Sequence, residues 1–203
     1  MTVSKPSLHF CSYSKKLSDL LAGFDWSPVE ELAHELMDCW KTGRQVFLCG
    51  NGGSAGNANH LANDFIYPVS KQFGSGIRVH SLSANPAIIT CLGNDEGYDQ
   101  IYAFQLAALA RRKDVLVVFS GSGNSPNILR TLEEAKRRNI KSYAVVGYSG
   151  GKAKELADVP IHFAIDDMQI SEDTQTIVFH MIVQWLHAQR ADVSSSQSKE
   201  FSE

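Results

Sequence analysis

Five short apolar runs, each bounded by turn residues, predict β-strands along the chain. The runs cover residues 45–49, 77–82, 114–119, 141–146 and 160–164. Runs such as Val-Leu-Val-Val-Phe have little polar alternation, which is typical of strands that are buried on both faces of a sheet. Helical patterns fill the gaps, and this alternation of strands and helices favours a parallel sheet with right-handed crossovers. The pattern therefore predicts an α/β fold, a doubly wound, five-stranded parallel sheet sandwich of the flavodoxin-like type.

Two helical stretches precede the first strand, at about residues 5–23 and 28–42. The second stretch is amphipathic because apolar residues recur in it at spacings of three and four: Val29, Leu32, Leu36 and Trp40. So much apolar surface outside the α/β unit leads us to expect an N-terminal helical hairpin that packs against another copy of the chain. Packing onto its own sheet is the alternative.

The composition narrows the class of protein. With 203 residues, of which 43% are hydrophobic and 20% charged, the chain can bury a sizeable core without disulfides or a structural metal. A net charge of -3 without a basic block lacks the electrostatic footprint of a nucleic-acid binder. No apolar run approaches the roughly 18 residues that cross a bilayer, and the N-terminus does not resemble a signal peptide. We therefore expect a cytoplasmic protein without nucleic-acid or membrane partners.

The four cysteines are Cys11, Cys39, Cys49 and Cys91, and they form no CxxC pair. Reduced thiols with a structural role are expected from this spacing, rather than a disulfide framework or a zinc knuckle. Cys49 lies at the end of the first strand, where a small buried side chain fits.

Two strand-to-helix turns are rich in glycine and serine: CGNGGSAGNANH after the first strand and FSGSGNSPN after the third. Glycine permits close backbone approach, and backbone N–H groups with serine hydroxyls can surround an anion at a helix N-terminus. The residues that supply these groups are Gly52, Gly53, Ser54, Ser120, Gly121, Ser122, Gly123 and Ser125. Such loops meet beyond the carboxyl ends of the strands, where the strand order reverses. The pattern indicates a phosphate site; alternatively, these residues only close turns and cap helices.

The kind of phosphate follows from what the two loops lack. GNGGSA does not have GxGxxG spacing, and no lysine follows it as in a Walker loop, which argues against dinucleotides and nucleoside triphosphates. Neither loop contains arginine, so neutral donors and helix dipoles would have to hold the anion. A monophosphate ester fits this set best.

Two pairs of ionisable residues are candidates for metal binding or acid–base chemistry. His60 and Asp64 are four residues apart, which places them on one helix face about one turn apart. Glu172 and His180 lie in or beside the C-terminal helix. Imidazole and carboxylate groups together suit zinc or another divalent first-row metal. The alternative is that the histidines are core or solvated residues.

The second pair raises a geometric problem. Glu172 and His180 are eight residues apart, about 12 Å along a regular helix, which is far for two ligands of one ion. Either the helix begins near Glu172, which would leave this residue free to bend inward, or one ligand comes from a neighbouring subunit.

Four motifs and the closing helix with His180 carry a family resemblance: CGNGGSA, LGNDEGY, SGSGNSPNI and GYSGGK. On these residues the chain resembles the phosphoheptose isomerases of the sugar isomerase (SIS) domain superfamily, over about residues 20–188. The resemblance implies a homotetramer that interconverts sedoheptulose 7-phosphate and D-glycero-D-manno-heptose 7-phosphate, often with zinc. The reaction would supply bacterial surface heptose for lipopolysaccharide or capsule.

The resemblance also implies roles for individual residues. The substrate would be bound by Asn51, Gly52, Gly53, Ser54, Asn94 and Asp95 on its sugar side, and by Ser120, Gly121, Ser122 and Ser125 at its phosphate. The metal and catalytic residues would be His60, Asp64, Glu172 and His180. The family commonly has Glu where this chain has Asp64, Gln where it has Glu172, and an acidic residue where it has Gln169. The segment FIYPVSKQFGSG offers Lys71 in place of the usual arginine.

An aldose–ketose exchange moves a proton between adjacent carbons through a cis-enediol, and it needs a base, an acid and charge stabilisation. Asp64 or Glu172 could remove the carbon-bound proton, His180 could move the second proton, and a divalent ion could stabilise the enediolate. Two alternatives are a catalytically silent SIS scaffold that binds a protein such as the replication initiator, and an isomerase of another phosphosugar. We divide the chain into an N-terminal helical region of the same fold (1–44), an SIS phosphosugar-binding domain (45–190) and a disordered tail (191–203).

Overall fold

The computed structural model describes residues 5–67 and 76–189. Within them, five strands form one sheet in the order β2-β1-β3-β4-β5, and every neighbouring pair is parallel. The strands are β1 Gln45–Gly50, β2 Arg78–Ser81, β3 Val115–Ser120, β4 Lys141–Val146 and β5 Val159–His162. The predicted doubly wound α/β fold is confirmed, with strand ends shifted by one or two residues. Lys71 and the predicted tail lie outside the described residues.

Helices connect and flank the strands. They are α1 Pro6–Ala22, α2 Ser27–Thr42, α3 Gly53–Ile66, α4 Pro86–Asp95, α5 Ala103–Leu109, α6 Pro126–Arg138, α7 Gly151–Leu156 and α8 Met168–Ala188, with a 3₁₀ turn at Tyr98–Gln100. No helix in the described part of the chain is long and apolar enough to cross a membrane.

The two faces of the sheet have separate apolar cores. Side chains alternate along each strand, so Leu116 and Val118 of β3 point to one face while Val115, Val117 and Phe119 point to the other. Helices α2, α3 and α8 cover the face of Val117, and helices α4 to α7 cover the face of Leu116. Both helix layers are needed because β1, β3 and β4 are buried along nearly their whole length.

The two N-terminal helices pack differently. The apolar stripe of α2 is buried in the protomer's own core, with Leu32 and Leu36 fully inaccessible to solvent. The expectation that this stripe faces another copy is therefore wrong, because α2 packs onto its own sheet. Helix α1 has no buried residue, and its Leu8 and Phe10 side chains are 65% and 66% exposed.

Polar contacts attach α1 to the start of α8. The Tyr13 hydroxyl donates to Asp173 Oδ2 at 2.5 Å, and Lys16 Nζ lies 2.9 Å from Asp167 Oδ2. Burial, followed by the hydrogen bond to Asp173, raises the pKa of Tyr13 to about 12, so this hydroxyl is protonated and can donate at neutral pH. The contacts place α1 beside the first turns of α8, close to the functional site.

Candidate functional site

The two glycine- and serine-rich loops meet at the switch point of the sheet. Strand order reverses between the neighbours β1 and β3, so the loops after them lie side by side. They line a cavity of about 310 Å³ together with the start of α8. The lining residues are Asn51, Gly52, Gly53, Ser54, Phe119, Ser120, Gly121, Ser122, Ser125, Met168 and Glu172. All the serine and glycine positions to which the resemblance gave a substrate role lie here; Phe119 and Met168 were not anticipated.

The loop after β3, residues 120–125, has a conformation that depends on glycine. Gly123 has φ of 66°, in the left-handed region, and a Cβ there would overlap the carbonyl of Gly150. The Gly123 N–H donates to Ser120 Oγ at 3.0 Å, and its carbonyl accepts from the Ala153 N–H at 2.9 Å. The GYSGGK motif therefore supports this loop from behind.

An amide pair joins the two loops across the switch point. Asn51 and Asn127 donate to each other's side-chain oxygen, both at 2.8 Å, and Asn127 is only 1% exposed. The Tyr102 hydroxyl donates to the Gly50 carbonyl at 2.5 Å. Burial raises the pKa of Tyr102 to about 12, which keeps the hydroxyl protonated as a donor. Sequence reasoning missed Tyr102 and Asn127, because their partners lie 52 and 76 residues away.

Asn94 and Asp95 lie apart from this cavity. Both are exposed at the end of α4, where Asn94 Nδ2 donates to Asp95 Oδ1 at 2.7 Å. Neither is among the residues that line the cavity. Tyr98, from the same LGNDEGY motif, does reach the loops, since its hydroxyl lies 3.5 Å from Asn51 Oδ1.

A second group of functional side chains lies where α3 packs against α8. His60 Nε2 and His180 Nε2 are 3.0 Å apart, and Asp64 Oδ2 lies 3.5 Å from each of them. The imidazoles are about half exposed, whereas the Asp64 side chain is only 15% exposed. The structure thus brings both predicted histidines and one predicted carboxylate to one point.

The ligand atoms of this group fit a metal ion. His60, Asp64 and His180 each offer one ligand atom, and these atoms all lie within 4.8 Å of one another. A tetrahedral zinc ion with bonds of about 2.0–2.1 Å has ligand atoms about 3.3 Å apart. The measured separations of 3.0 and 3.5 Å match three corners of such a site.

Glu172 does not belong to this group. Helix α8 begins at Met168, so Glu172 lies inside the helix, and the expectation of a helix that begins near Glu172 is wrong. Its carboxylate lies against Gly53, where an added Cβ would overlap it. Glu172 is therefore found at the cavity, roughly two helical turns from His180.

Comparison with known proteins places the chain in a class. Residues 9–147 match the SIS domain family. The phosphoheptose isomerase of Trichlorobacter lovleyi is 33% identical over 177 residues, which cover 83% of this chain and 89% of that protein. The solved phosphoheptose isomerase of Francisella tularensis is 26% identical, with a TM-score of 0.82 over 93% of this chain and 100% of the other. That of Neisseria gonorrhoeae is 25% identical, with a TM-score of 0.81 over 90% of this chain and 96% of the other.

The chain therefore belongs to the SIS domain family and, within it, to the phosphoheptose isomerases. It is an enzyme, a phosphosugar isomerase. The resemblance drawn from its motifs is confirmed.

Proposed function

We propose that the enzyme interconverts sedoheptulose 7-phosphate and D-glycero-D-manno-heptose 7-phosphate through a cis-enediol. The observation that carries the proposal is the placement of a serine-lined cavity of about 310 Å³ and a histidine–carboxylate group along one pair of helices, α3 and α8. The relatives are named phosphoheptose isomerases, and isomerisation of a phosphosugar needs both an anion site and acid–base groups.

The phosphate is proposed to bind at the loop of residues 120–125. Ser120, Ser122 and Ser125 line the cavity there, and Ser125 stands directly before the first turn of α6. Backbone N–H groups and the positive end of the α6 dipole favour an anion at this point. Neutral donors would hold the phosphate, since the described lining includes no lysine or arginine.

Asp64 and His180 are proposed as the acid–base pair. One of them would remove the proton from carbon and the other would move the proton between the oxygens, which requires both groups at one pair of carbons. Their 3.5 Å separation supports this assignment. In its extended conformation, a seven-carbon phosphate ester measures about 10 Å from its phosphorus to its first carbon. Along α3, His60 lies about 10 Å from Gly53, so one substrate could reach both ends.

Glu172 is the alternative base. It lines the cavity itself, so it would act on a substrate whose reacting carbons lie closer to the loops. Its carboxylate would repel a phosphate placed beside it, which favours contact with sugar hydroxyls instead. The roles of Asn51, Asn94 and Asp95 on the sugar side likewise stay predictions.

As the alternative to direct proton transfer by Asp64 and His180, we propose that His60, Asp64 and His180 hold a divalent metal ion, because a ligating oxygen or nitrogen is not free to carry a proton. Zinc suits the two imidazoles and the carboxylate, and Glu172 would then be the base. When bound, such an ion polarises a carbonyl oxygen and stabilises developing negative charge. Glu172, which the resemblance implies as a fourth ligand, lies roughly two turns from His180 in the same chain, so a fourth ligand of this kind would have to come from a neighbouring subunit. Elemental analysis of active protein should find one metal per chain; activity unchanged by a chelator in metal-free protein would contradict the proposal.

A cytoplasmic homotetramer that supplies heptose for surface polysaccharide is also proposed. The exposed apolar side chains of α1, Leu8 and Phe10, support burial against another copy. Light scattering at micromolar concentration should give about four times the chain mass of 22.3 kDa. A mass of one chain would contradict the tetramer.

The proposed reaction is tested with a panel of ketose phosphates in deuterated water. Wild-type protein should incorporate solvent deuterium into sedoheptulose 7-phosphate fastest, because enediol formation exchanges the carbon-bound proton. Asp64→Asn should abolish the exchange, while Glu172→Gln should retain it. The reverse result would make Glu172 the base. No exchange with any sugar would contradict the proposed enediol reaction.

A further inference from the structure

Helices α3 and α8 carry the two halves of the proposed site at their opposite ends. Gly53 meets Glu172 at the cavity, and His60 meets His180 about two turns further along both helices. How α3 is aligned along α8 therefore decides whether the two residues of each half meet. Any slip between the helices would separate one of the two pairs.

A polar contact joins the two helices between these ends. Asn57 Nδ2 donates to Gln175 Oε1 at 3.0 Å and to the main-chain carbonyl of Glu172, also at 3.0 Å. Asn57 lies on the same face of α3 as Gly53, His60 and Asp64, because these residues follow the helical spacing of three and four. The carbonyl of Glu172 is thus held directly by the helix that carries His60.

We propose that Asn57 and Gln175 are positioning residues of the isomerase. Their side-chain pair sets the alignment of α3 along α8 and so places His60 and Asp64 relative to His180, and Gly53 relative to Glu172. The proposal rests on the proposed function, which gives His60, Asp64, Glu172 and His180 their metal-binding and acid–base roles. It adds two residues that are themselves part of neither the cavity lining nor the imidazole group.

Away from the imidazole group, a further contact between these helices is apolar. The rings of Phe65 and Phe179 pack edge to face with centroids 5.7 Å apart. Ring contacts of this kind tolerate a range of separations and offsets. Hydrogen bonds lose strength steeply with distance and angle, so the two bonds of Asn57 resist a slip that the aromatic pair would allow.

The burial of Gln175 points to a role other than stability. Its side chain is 1% exposed, and its Nε2 is buried without a hydrogen-bond partner among the described residues. An unpaired buried donor destabilises a fold, whereas an apolar side chain of similar size would not. If the side chain at position 175 served only to fill the core, methionine would stabilise the fold more than glutamine. Gln175 supplies what methionine cannot, an oxygen that orients Asn57.

The test compares Gln175→Met, Asn57→Leu and the double variant with wild type. Gln175→Met should unfold at the same temperature as wild type or higher, yet lower kcat about ten-fold or more, since small misplacements of reacting groups have large effects. KM should change little, because the phosphate loop lies on the sheet and not on α3. The kcat of the double variant should be no lower than that of the less active single variant, because both substitutions remove the same Asn57–Gln175 hydrogen bond.

Binding of Zn²⁺ alone gives a second readout, because His60 and His180 come from the two helices. Titration should show weaker binding in all three variants. Gln184→Met is the matched control, since Gln184 is an exposed residue of the same helix. If Gln175→Met and Asn57→Leu keep the wild-type kcat and Zn²⁺ affinity, the positioning proposal is overturned and the proposed function is unaffected. Wild-type protein that neither exchanges deuterium nor binds Zn²⁺ would overturn the proposed function, and this proposal with it.

Discussion

The two ends of the α3–α8 helix pair are built on different principles. At the cavity end, backbone conformation does most of the shaping: Gly123 is left-handed and packed against Gly150, and the flanking serine hydroxyls are tied into the loop. At the imidazole end, two half-exposed imidazoles and the less exposed Asp64 converge from two helices, so side chains do most of the shaping. The cavity end should therefore respond to substitutions through binding and stability, and the imidazole end through the rate of the chemical step.

The largest effect is expected at the imidazole end. His180→Ala should lower kcat by about 100-fold or more, the usual contribution of a general acid or base, with little change in KM. Steady-state kinetics with sedoheptulose 7-phosphate measures both constants. His9→Ala, on the exposed part of α1, is the control and should behave as wild type. A His180→Ala variant that changes KM alone would contradict the expectation that the imidazole end acts on kcat and the cavity end on binding.

His60→Ala separates metal binding from proton transfer. If His60 only holds the metal, added Zn²⁺ should partly restore activity, because Asp64 and His180 still supply two ligands. His180→Ala should stay inactive at any Zn²⁺ concentration. Equal rescue of the two variants would mean that His180 is a ligand without a role in proton transfer.

At the cavity end, Gly123→Ala should destabilise the protein by about 2–4 kcal/mol, from the left-handed conformation plus overlap with the Gly150 carbonyl. Gly43→Ala is the matched control, since Gly43 also has a positive φ, 68°, but no atom within 4 Å of an added Cβ. Thermal unfolding measures the loss of stability in both variants, and the difference between the two losses is the contribution of the overlap. Equal losses of stability would show that the loop moves to accommodate the added Cβ at little energetic cost.

A smaller effect is expected from the serines of the same loop. Replacement of Ser120 and Ser122 by Ala should raise KM for a phosphorylated substrate by about ten-fold and leave kcat nearly unchanged, because uniform binding is lost. Ser149→Ala, in the neighbouring turn after β4, is the control. An unchanged KM in the double variant would place the phosphate elsewhere.

The smallest effect concerns the thiols, which belong to neither end. Cys11 and Cys91 are exposed, and Cys39 and Cys49 are buried. Burial raises the pKa of Cys39 to about 12 and that of Cys49 further still, so neither forms a thiolate near neutral pH. A thiol reagent should leave Cys39 and Cys49 unmodified in the native chain, and it should modify all four cysteines after unfolding. Rapid reaction of Cys39 or Cys49 in native protein would contradict the buried core.

The contrast between the ends also explains how far sequence reasoning reached. The phosphate loops were predictable because strand ends, glycines and serines are local signals, and a parallel sheet brings such ends together. His60 and Asp64 were predictable as a pair from helical spacing alone. Their contact with His180 was not derivable from spacing, because it depends on which helices the crossovers place side by side.

The sequence by itself determined the strands, their parallel arrangement, the loops that shape the cavity and the residue types of the site. Only the tertiary structure decided that α2 packs on its own sheet, that Glu172 faces Gly53 instead of the imidazoles, and that Asn57 meets Gln175. The physical reason is range. Periodicity and turn chemistry act over a few residues, whereas the contacts of Glu172 with Gly53 and of Asn57 with Gln175 join residues more than 100 positions apart, 118 in the second case.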